Sequence, residues 1–415
     1  YKVFDFAGLQ FFKYLLGFTT AFIILHVAKR NGASISLSLM GLFLISPLFS
    51  LSYSPVRAQI FSHLFSAYLF YRVVTDKQKF SFIGFAVFFL IGSLWVNLHG
   101  GLVAGIGFAF LWLLGNILQS QKFHNALGSI LALLAGSFMN PYGYHYWQGI
   151  FDEIVVPRPD IPEWWSIFKS LNSNEHFGST VHLGVLILVA FIGILVAKEK
   201  RLDKILILFF SALLASLHIR HESLFLIAFA CFVPVMFEAS VLKLKIQLRI
   251  SGTAINILKF AILSLSLFVA IPILNRNILN LDQEKNYPTQ ALRYLREQQF
   301  SGNILTELDW GSYITWQLSN SSKVGIDGRY ATVFGAEVLE EYFDFLYARQ
   351  GAADFILKYP HQIAILRSET LGSDILKNST KWKMVYHDSE ARVYLTHDMV
   401  EDSVQKNIIK DNKAR

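Results

Sequence analysis

The stretch FSFIGFAVFFLIGSLWVNLHGGLVAGIGFAFLWLLGNILQSQ, residues 80–121, contains no Asp, Glu, Lys or Arg. A membrane crossing takes about 20 apolar residues, so this stretch fits two crossings joined by a tight turn. Asn97 and His99, followed by Gly100 and Gly101, fall at that turn. Polar side chains at the membrane are costly unless they face protein or a water-filled cavity. The pattern therefore predicts a helical hairpin whose tip is either a turn capped by Asn97 or a polar site at the membrane surface.

The composition of the whole chain is typical of a polytopic membrane protein. Hydrophobic residues make up 53% and charged residues 16% of the 415 residues, and the mean hydropathy is +0.41. Soluble domains carry about 25% charged residues. The net charge is +9 over residues 1–275 and −2 over residues 276–415. The basic excess therefore indicates topology and contact with anionic membrane lipid, and no nucleic-acid partner is expected. Because Cys231 is the single cysteine, no intrachain disulfide can form.

Apolar runs predict about ten membrane-spanning helices in residues 1–275. They lie near 7–28, 34–53, 57–73, 80–97, 102–119, 124–140, 180–197, 205–219, 223–240 and 252–274. The pair within 205–240 is short for full spans, which is typical of tilted or re-entrant helices with thinned ends. The chain opens at Tyr1 without a visible signal peptide, so we expect an N-terminally truncated sequence.

The loops between these helices alternate in charge. One set carries thirteen basic residues, whereas the other carries only Arg57, Arg158, Lys169 and Arg220 before the last span. The positive-inside rule places the first set in the cytoplasm. The polar features near the membrane boundaries, including loop 141–179, are then expected on the outer face, together with everything after residue 275.

Residues 276–397 predict a second, extracytoplasmic α/β domain, followed by a polar tail at 398–415. Charged residues are frequent there and alternate with short runs of β-forming residues, as expected for a soluble domain of this size. The predicted elements are helices at 288–299 and 336–349, strands at 304–308, 323–326 and 363–366, and a hairpin of 383–386 with 392–395. The fold class is therefore a polytopic α-helical membrane domain, residues 1–275, followed by a C-terminal α/β domain.

Basic residues at the predicted outer boundary are candidate phosphate ligands. Arg57 follows Ser-Pro at the mouth of a helix, and the planar fork of arginine binds phosphate or carboxylate bidentately. The alternative is an arginine that reaches a lipid headgroup. Arg220 and His221 share the argument, with a local ion pair between Arg220 and Glu222 as the alternative.

Loop 141–179 combines acidic and aromatic residues. Its aromatic side chains, among them Tyr142 and Trp164, are typical of anchors at the membrane interface and equally of a sugar-binding surface. Glu163, held between Pro162 and Trp164, is the acidic residue best placed to position or deprotonate an acceptor hydroxyl. A helix-capping or structural carboxylate is the alternative for Glu163.

In the C-terminal domain, Asp309 and the run Asp327-Gly328-Arg329 each follow a predicted strand. Sheets of α/β proteins place ligands at the carboxyl ends of strands, which makes these residues candidates too. A turn aspartate is the alternative for Asp327. The sequence contains no P-loop, Rossmann glycine pattern, HExxH or GxSxG motif. A divalent metal is compatible with such a protein, but the carboxylate spacing assigns no metal ligand.

Seven short motifs follow one another along the chain. They are Arg57-Ala-Gln-Ile-Phe-Ser, Trp95-Val-Asn-Leu-His-Gly-Gly, Asn140-Pro-Tyr-Gly, Ile161-Pro-Glu-Trp, Arg220-His221, Asp309-Trp-Gly-Ser-Tyr and Ile326-Asp-Gly-Arg. This order resembles a largely uncharacterised family of bacterial multi-pass membrane proteins, which is similar to the GT-C glycosyltransferases that use polyprenyl-phosphate sugars. Ala58 stands where the family favours proline, and Glu222 stands where an apolar residue is commoner. The resemblance implies a catalytic acidic residue in the first outer loop, which we expect to precede Tyr1.

The resemblance implies a GT-C-like glycosyltransferase of the hexosyltransferase type in the bacterial cytoplasmic (inner) membrane. Such an enzyme would move a sugar from a polyprenyl-phosphate donor to an extracytoplasmic glycan, lipid or protein. The residues expected to hold the donor are Arg57, Asn97, His99, Arg220 and His221, and those expected on the acceptor side are Tyr142, Glu163, Trp164, Asp309, Asp327 and Arg329. A transporter of lipid-linked glycans and a non-enzymatic assembly or binding protein are the alternatives.

Overall fold

The computed structural model describes residues 5–53, 56–75, 81–173, 176–247, 253, 264, 287–330 and 333–401. The chain divides into two compact units, residues 1–150 with 158–279 and residues 151–157 with 280–415. We call them the membrane unit and the C-terminal unit. Almost all of the predicted span at 252–274, the predicted domain boundary at 275 and most of the predicted tail at 398–415 lie outside the described residues.

The described part of residues 5–247 is helical wherever an apolar run predicts a span. Its helices are α1 (Asp5–Arg30), α2 (Ile35–Tyr53), α3 (Gln59–Val74), α4 (Phe82–Leu98), α5 (Leu102–Leu118), α6 (His124–Ser137), α7 (His145–Ile154), α8 (Ile167–Leu171), α9 (Phe177–Val196), α10 (Leu202–Leu217) and α11 (Glu222–Gln247). Within loop 141–179 lie α7, α8 and a 3₁₀ helix at Pro162–Trp164, and a second 3₁₀ helix, Ile219–His221, precedes α11.

Four segments of the described residues are long and apolar enough to cross a membrane. They are Ala7–Arg30, Ile35–Tyr53, Phe177–Val196 and Ile219–Val241, and the helices Phe82–Leu98 and Leu102–Leu118 are apolar but shorter. The chain is thus a helical membrane protein, while a total of about ten spans stays a prediction.

The core of the membrane unit forms around α11. Every residue from Leu224 to Val233 is buried, so this helix is apolar all round and packed on all sides. Small residues let other helices approach closely, as is common in membranes. At Gly92 and Gly136, for instance, a Cβ would lie 2.6 Å from the Leu133 carbonyl oxygen and 2.2 Å from the Phe89 carbonyl oxygen, so α4 and α6 pack backbone to backbone.

The C-terminal unit alternates helices and strands. The helices are α12 (Thr289–Glu297), α13 (Leu308–Leu318), α14 (Ala336–Leu346), α15 (Ala352–Lys358) and α16 (Gly372–Lys377), and the strands are β1 (Asn303–Thr306), β2 (Lys323–Val324), β3 (Ile363–Arg367), β4 (Trp382–His387) and β5 (Ala391–Thr396). Two strand predictions were too long. Leu308 begins α13 because Trp310, Ile314 and Leu318 recur at helical spacing and are buried, and the 323–326 strand pairs only over its first two residues.

The strands form one sheet in the order β2-β1-β3-β5-β4. Strands β2, β1 and β3 are parallel, with Ile304 opposite Ile363, and β5 runs antiparallel to both β3 and β4. The connection from β1 leads through α13 to β2, and the chain then returns past β1 to β3. The segments that follow β1, β2 and β3 therefore lie at the same edge of the sheet, the usual place for a ligand.

Candidate functional site

The turn at residues 97–101 joins α4 to α5 and is tied to α6. The Asn97 side-chain amide donates to the carbonyl oxygens of Ser93 and Met139, each at 2.7 Å. Met139 lies just beyond the end of α6. Asn97 therefore fixes the tip of the hairpin against the neighbouring helix, and both of its amide hydrogens are used in doing so.

His99 is held within this turn through one ring nitrogen. Its Nδ1 lies 2.8 Å from Ser62 Oγ and accepts the Gly101 backbone N–H at 3.1 Å. Ser62 Oγ in turn accepts the indole N–H of Trp95 at 2.7 Å. A Cβ at Gly101 would lie 2.4 Å from Ser62 Oγ and 2.8 Å from His99 Nδ1, so this approach requires glycine.

The electrostatics of His99 link the turn to a distant part of the sequence. Burial and the positive charge of Arg220 lower the pKa of His99 to about 4. His99 is therefore neutral near pH 7. Since Arg220 acts on it electrostatically, the two side chains belong to the same region of the membrane unit.

Trp164 is surrounded by cationic and imidazole side chains, a group we call the Trp164 cluster. The guanidinium carbons of Arg158 and Arg220 lie 4.2 and 5.0 Å from its ring centre. The rings of His218 and His221 contact Trp164 edge-on, with centroid distances of 5.3 and 6.0 Å. Two arginines over one indole gain cation–π attraction while their charges stay close together. That concentration of positive charge favours an anionic ligand.

Backbone contacts fix the Trp164 cluster. His218 Nδ1 donates to the Trp164 carbonyl oxygen at 2.7 Å, and the Ile219 N–H donates to the Trp165 carbonyl oxygen at 3.0 Å. The two 3₁₀ helices are thereby joined. Arg220 and His221 sit on one of them and Trp164 on the other, so their relative positions do not depend on side-chain packing alone.

Arg57 and Glu163, which the sequence offered as separate candidates, form an ion pair. Arg57 Nη1 lies 2.6 Å from Glu163 Oε1. Both side chains remain accessible, at 51% for Arg57 and 43% for Glu163. The pair joins the start of α3 to the Pro162–Trp164 helix, and its exposure leaves both groups within reach of a ligand.

These contacts connect most of the predicted donor-side residues. Arg57 contacts Glu163, which precedes Trp164 in the chain, and Trp164 contacts Arg220, whose charge acts on His99. Four segments far apart in sequence thus contribute to one basic region of the membrane unit.

Tyr142 is placed differently. It is 71% exposed, and its backbone N–H donates to Asn140 Oδ1 at 2.8 Å in a local turn. That turn lies next to α6, whereas the contacts around Trp164 come from the segments at 158–164 and 218–221. A role for Tyr142 on the acceptor side stays a prediction.

Sequence reasoning did not assign three residues of this region, Ser62, Arg158 and His218. Ser62 ends the motif that begins at Arg57, and His218 lies two residues before Arg220, so their positions within motifs were available as a signal. Arg158 stands between Pro157 and Pro159 and resembles an ordinary loop cation. Its buried position over Trp164 depends on the fold and has no local signal.

In the C-terminal unit, Asp327 and Arg329 pair with each other. The buried Asp327 carboxylate accepts the Arg329 backbone N–H at 3.0 Å and its Nη2–H at 2.7 Å. These bonds hold the pKa of Asp327 below its usual value. The arrangement is a closed local turn after β2, in which the side chain bonds two residues onward.

Asp309 lies at the carboxyl end of β1 and pairs across to β3. Its carboxylate bonds the guanidinium of Arg367, which lies over the Trp310 ring at 4.6 Å. The neighbouring Glu307 is buried and accepts the Arg367 N–H and the Thr370 hydroxyl, while burial raises its pKa. This edge of the sheet is polar and internally paired. Within the residues that the structure covers, no group of three or more His, Cys, Asp or Glu is arranged to hold a metal ion.

Neither a family model nor a curated protein matches this chain. Among solved structures it is similar to the arabinofuranosyltransferase AftD from Mycobacteria, with a TM-score of 0.52 and 12% sequence identity. The match covers 94% of this chain and 35% of that chain, so this chain spans little more than a third of that protein's length. At this identity the similarity shows a shared fold, which here is mostly helical with a small sheet region.

Proposed function

We propose that this chain is a membrane glycosyltransferase that takes its sugar from a polyprenyl-phosphate donor. The observation that carries the proposal is the joining of Arg57, Glu163, Trp164 and Arg220 through contacts between three distant segments, with His99 linked to them by the electrostatic effect of Arg220. The fold shared with an arabinofuranosyltransferase supports the same class of protein. In this proposal the polar turns face the extracytoplasmic side of a bacterial inner membrane, with about ten spans and the C-terminal unit outside.

The donor phosphate would bind the basic region. Arginine binds phosphate oxygens through paired N–H groups, and Arg57 and Arg220 are the guanidinium groups on either side of Glu163 and Trp164. When the sugar leaves, negative charge develops on the phosphate, and fixed positive groups lower the free energy of that transition state. Asn97 and His221 would line the same region, Asn97 by holding the turn and His221 beside Trp164.

Glu163 would act on the acceptor once the donor is bound. Its carboxylate contacts Arg57, and a phosphate that takes over Arg57 leaves Glu163 free to accept the proton of an acceptor hydroxyl. Tyr142, which is exposed, would offer its ring face to a sugar, and Trp164 would hold the guanidinium groups of Arg158 and Arg220 in place. Asp309 and Arg329, whose side chains are exposed, would contact a larger acceptor in the C-terminal unit, and Asp327 would hold Arg329 in place at this edge of the parallel sheet.

A transfer assay on the full chain in lipid nanodiscs tests this function. The donors are radiolabelled polyprenyl-phosphoryl hexoses and a polyprenyl-phosphoryl arabinofuranose, the latter because of the AftD similarity, with a mixed cell-envelope glycan fraction as acceptor. We expect Arg220→Ala to lower transfer about 10²- to 10³-fold, the usual effect of removing a group that stabilises transition-state charge.

The matched control is Lys198→Ala, which removes an exposed cation from the α9–α10 connection. It is expected to transfer sugar at the wild-type rate. Equal activity of the Arg220 variant and the wild type, or no transfer from any lipid-phosphate donor, contradicts the proposal. Loss of activity in both variants would show that general charge, and no particular site, is responsible.

A further inference from the structure

We infer that Ser62 and Trp95 are positioning residues that fix His99 as an uncharged hydrogen-bond donor, with its Nε2–H available to a phosphate oxygen beside Arg220. The inference rests on the proposed function, because the phosphate is that of the proposed donor. It assigns a role to two residues that the proposed chemistry does not otherwise use, and it states which atom of His99 meets the ligand.

The first step concerns Gly101. A backbone N–H can only donate, and the Gly101 N–H lies 3.1 Å from His99 Nδ1. The Nδ1 atom must therefore carry a lone pair and no proton. The missing Cβ of Gly101 is what allows this contact, since any side chain there would collide with both His99 and Ser62.

The second step concerns Ser62, which must donate to His99 Nδ1 because the first step leaves that atom without a proton. The Trp95 indole N–H can only donate, and it donates to Ser62 Oγ at 2.7 Å. The hydroxyl hydrogen of Ser62 then serves the second short contact, to His99 Nδ1 at 2.8 Å. Two fixed donors thus converge on Nδ1, and a ring flip would bring two donor hydrogens against a C–H group.

The third step concerns the other side of the ring. In a neutral imidazole with an unprotonated Nδ1, the ring proton is on Nε2. The Nε2 atom makes no hydrogen bond to any residue that the structure describes, and the His99 side chain is only partly buried. A donor without a partner among the described residues, within the electrostatic influence of Arg220, matches the oxygen of an anionic phosphate.

Neutrality suits this location. A protonated His99 would be repelled by Arg220, whereas a neutral N–H adds a hydrogen bond to the same anion at no such cost. Burial and Arg220 together keep the pKa of His99 near 4, so His99 supplies no proton at neutral pH. Its role is binding and orientation, and Ser62 and Trp95 act through it.

Two replacements of His99 separate this role from a structural one. The amide nitrogen of glutamine reaches the place of Nε2, whereas the amide oxygen of asparagine reaches the place of Nδ1 and preserves the contacts to Ser62 and Gly101. Full-length variants in nanodiscs are titrated with undecaprenyl phosphate and, in a separate arm, with inorganic phosphate. We expect His99→Asn to weaken binding about tenfold or more and His99→Gln to retain most of it.

The outcomes are distinct. Tighter binding by His99→Gln than by His99→Asn, with either probe, supports the inference. The probe that binds shows whether inorganic phosphate is sufficient or the lipid is required. Asn equal to or above Gln overturns the inference and leaves the proposed function standing, provided the wild type binds. No binding by the wild type in either arm overturns both.

A second measurement needs no ligand. Nitrogen-15 spectra of the free protein are expected to show His99 protonated at Nε2 and unprotonated at Nδ1, and Ser62→Ala is expected to shift the ring toward a mixture of both neutral forms. Unfolding temperatures of the same samples show that the variants are folded. A wild-type ring protonated at Nδ1 overturns the inference directly.

Discussion

Two turns of this protein each combine polar residues with glycine, and they differ in which residues their polar side chains bond. The turn at 97–101 presents Asn97 and His99 before two glycines, and the turn at 327–329 presents an aspartate, a glycine and an arginine. In the second turn, the Asp327 carboxylate accepts hydrogen bonds from Arg329, two residues away. In the first, His99 bonds Ser62, 37 residues away, and its Nε2 makes no bond to any described residue.

The difference shows how a candidate ligand-binding residue can be distinguished from a residue that only stabilises a turn. Local sequence favours both alternatives equally, because Asn, Asp, His and Gly serve turns and sites alike. What decides is whether the hydrogen-bonding capacity of the side chain is used within the turn. Both carboxylate oxygens of Asp327 are bonded within its own turn, whereas His99 is held at one ring nitrogen by Gly101 and the remote Ser62, which leaves its other ring nitrogen available.

The largest effect should come from a side chain at Gly101 that collides with Ser62 and His99 in the first turn. Gly101→Ala places a methyl group 2.4 Å from Ser62 Oγ, and because Gly101 already has an ordinary φ of −61°, crowding alone is responsible. We expect stability to fall by about 1–3 kcal/mol and lipid-phosphate binding to fall at least tenfold. Thermal unfolding in detergent and undecaprenyl phosphate titration measure the two effects.

The matched control for this change is Gly107, which lies six residues further along the chain, within α5. Gly107→Ala meets no atom within 4 Å of its new Cβ, so the same substitution there is expected to leave binding unchanged and stability equal or up to about 1 kcal/mol higher. If Gly101→Ala behaves like Gly107→Ala, the close packing of His99, Ser62 and Gly101 is not important for the site.

A smaller and purely local effect is expected in the second turn. Asp327→Ala removes a buried carboxylate that accepts a backbone N–H, which should destabilise the turn by about 1–3 kcal/mol. Because Arg329 holds the pKa of Asp327 below its usual value, the wild-type carboxylate stabilises the fold above about pH 4 and loses that effect as the pH falls further.

Hydrogen exchange of residues 323–330 in the full chain, between about pH 6 and pH 3, measures this dependence. Protection in the wild type should fall on acidification, and protection in Asp327→Ala should start low and change less. Glu369→Ala, which removes an exposed carboxylate after β3, is the control and should follow the wild type. A variant with the same pH profile as the wild type would show that the Asp327–Arg329 bonds do not stabilise the turn.

The same comparison explains how much of the fold the sequence could predict. Charged residues bracket most apolar runs, so the apolar part of α10 between Lys204 and Arg220 was predictable, and the polar turn at 97–101 marked the boundary between α4 and α5. Short amphipathic helices such as α7 were not predictable, because ten residues within a polar loop give too little periodic signal. The strand predicted at 304–308 was too long because pairing with β3 stops at Thr306. That end point depends on the tertiary structure and has no local sequence signal.

The sequence predicted which residues belong to the candidate site, but it did not predict which of them contact each other. Arg57, His99, Glu163 and Arg220 all stood out by type and position, because charged and imidazole groups are rare near apolar runs. That Arg57 pairs with Glu163 across 106 positions follows from the fold alone. One sequence offers no measure of which distant segments meet, and the partners of each candidate therefore required the structure.

The Arg57–Glu163 pair is expected to show the smallest effect. Like the contact of His99 with Ser62 it joins residues far apart in sequence, and like Asp327 and Arg329 its two charged groups bond each other. Its two side chains are about half exposed, and such pairs contribute about 0.2–1 kcal/mol. If phosphate competes with Glu163 for Arg57, Glu163→Gln should tighten undecaprenyl phosphate binding by about two- to fivefold while sugar transfer falls for want of a base. The exposed Glu199→Gln should change neither quantity. Weaker binding in Glu163→Gln would mean that the carboxylate orients Arg57 for the phosphate, and the pair would then be part of the binding site instead of a competitor for it.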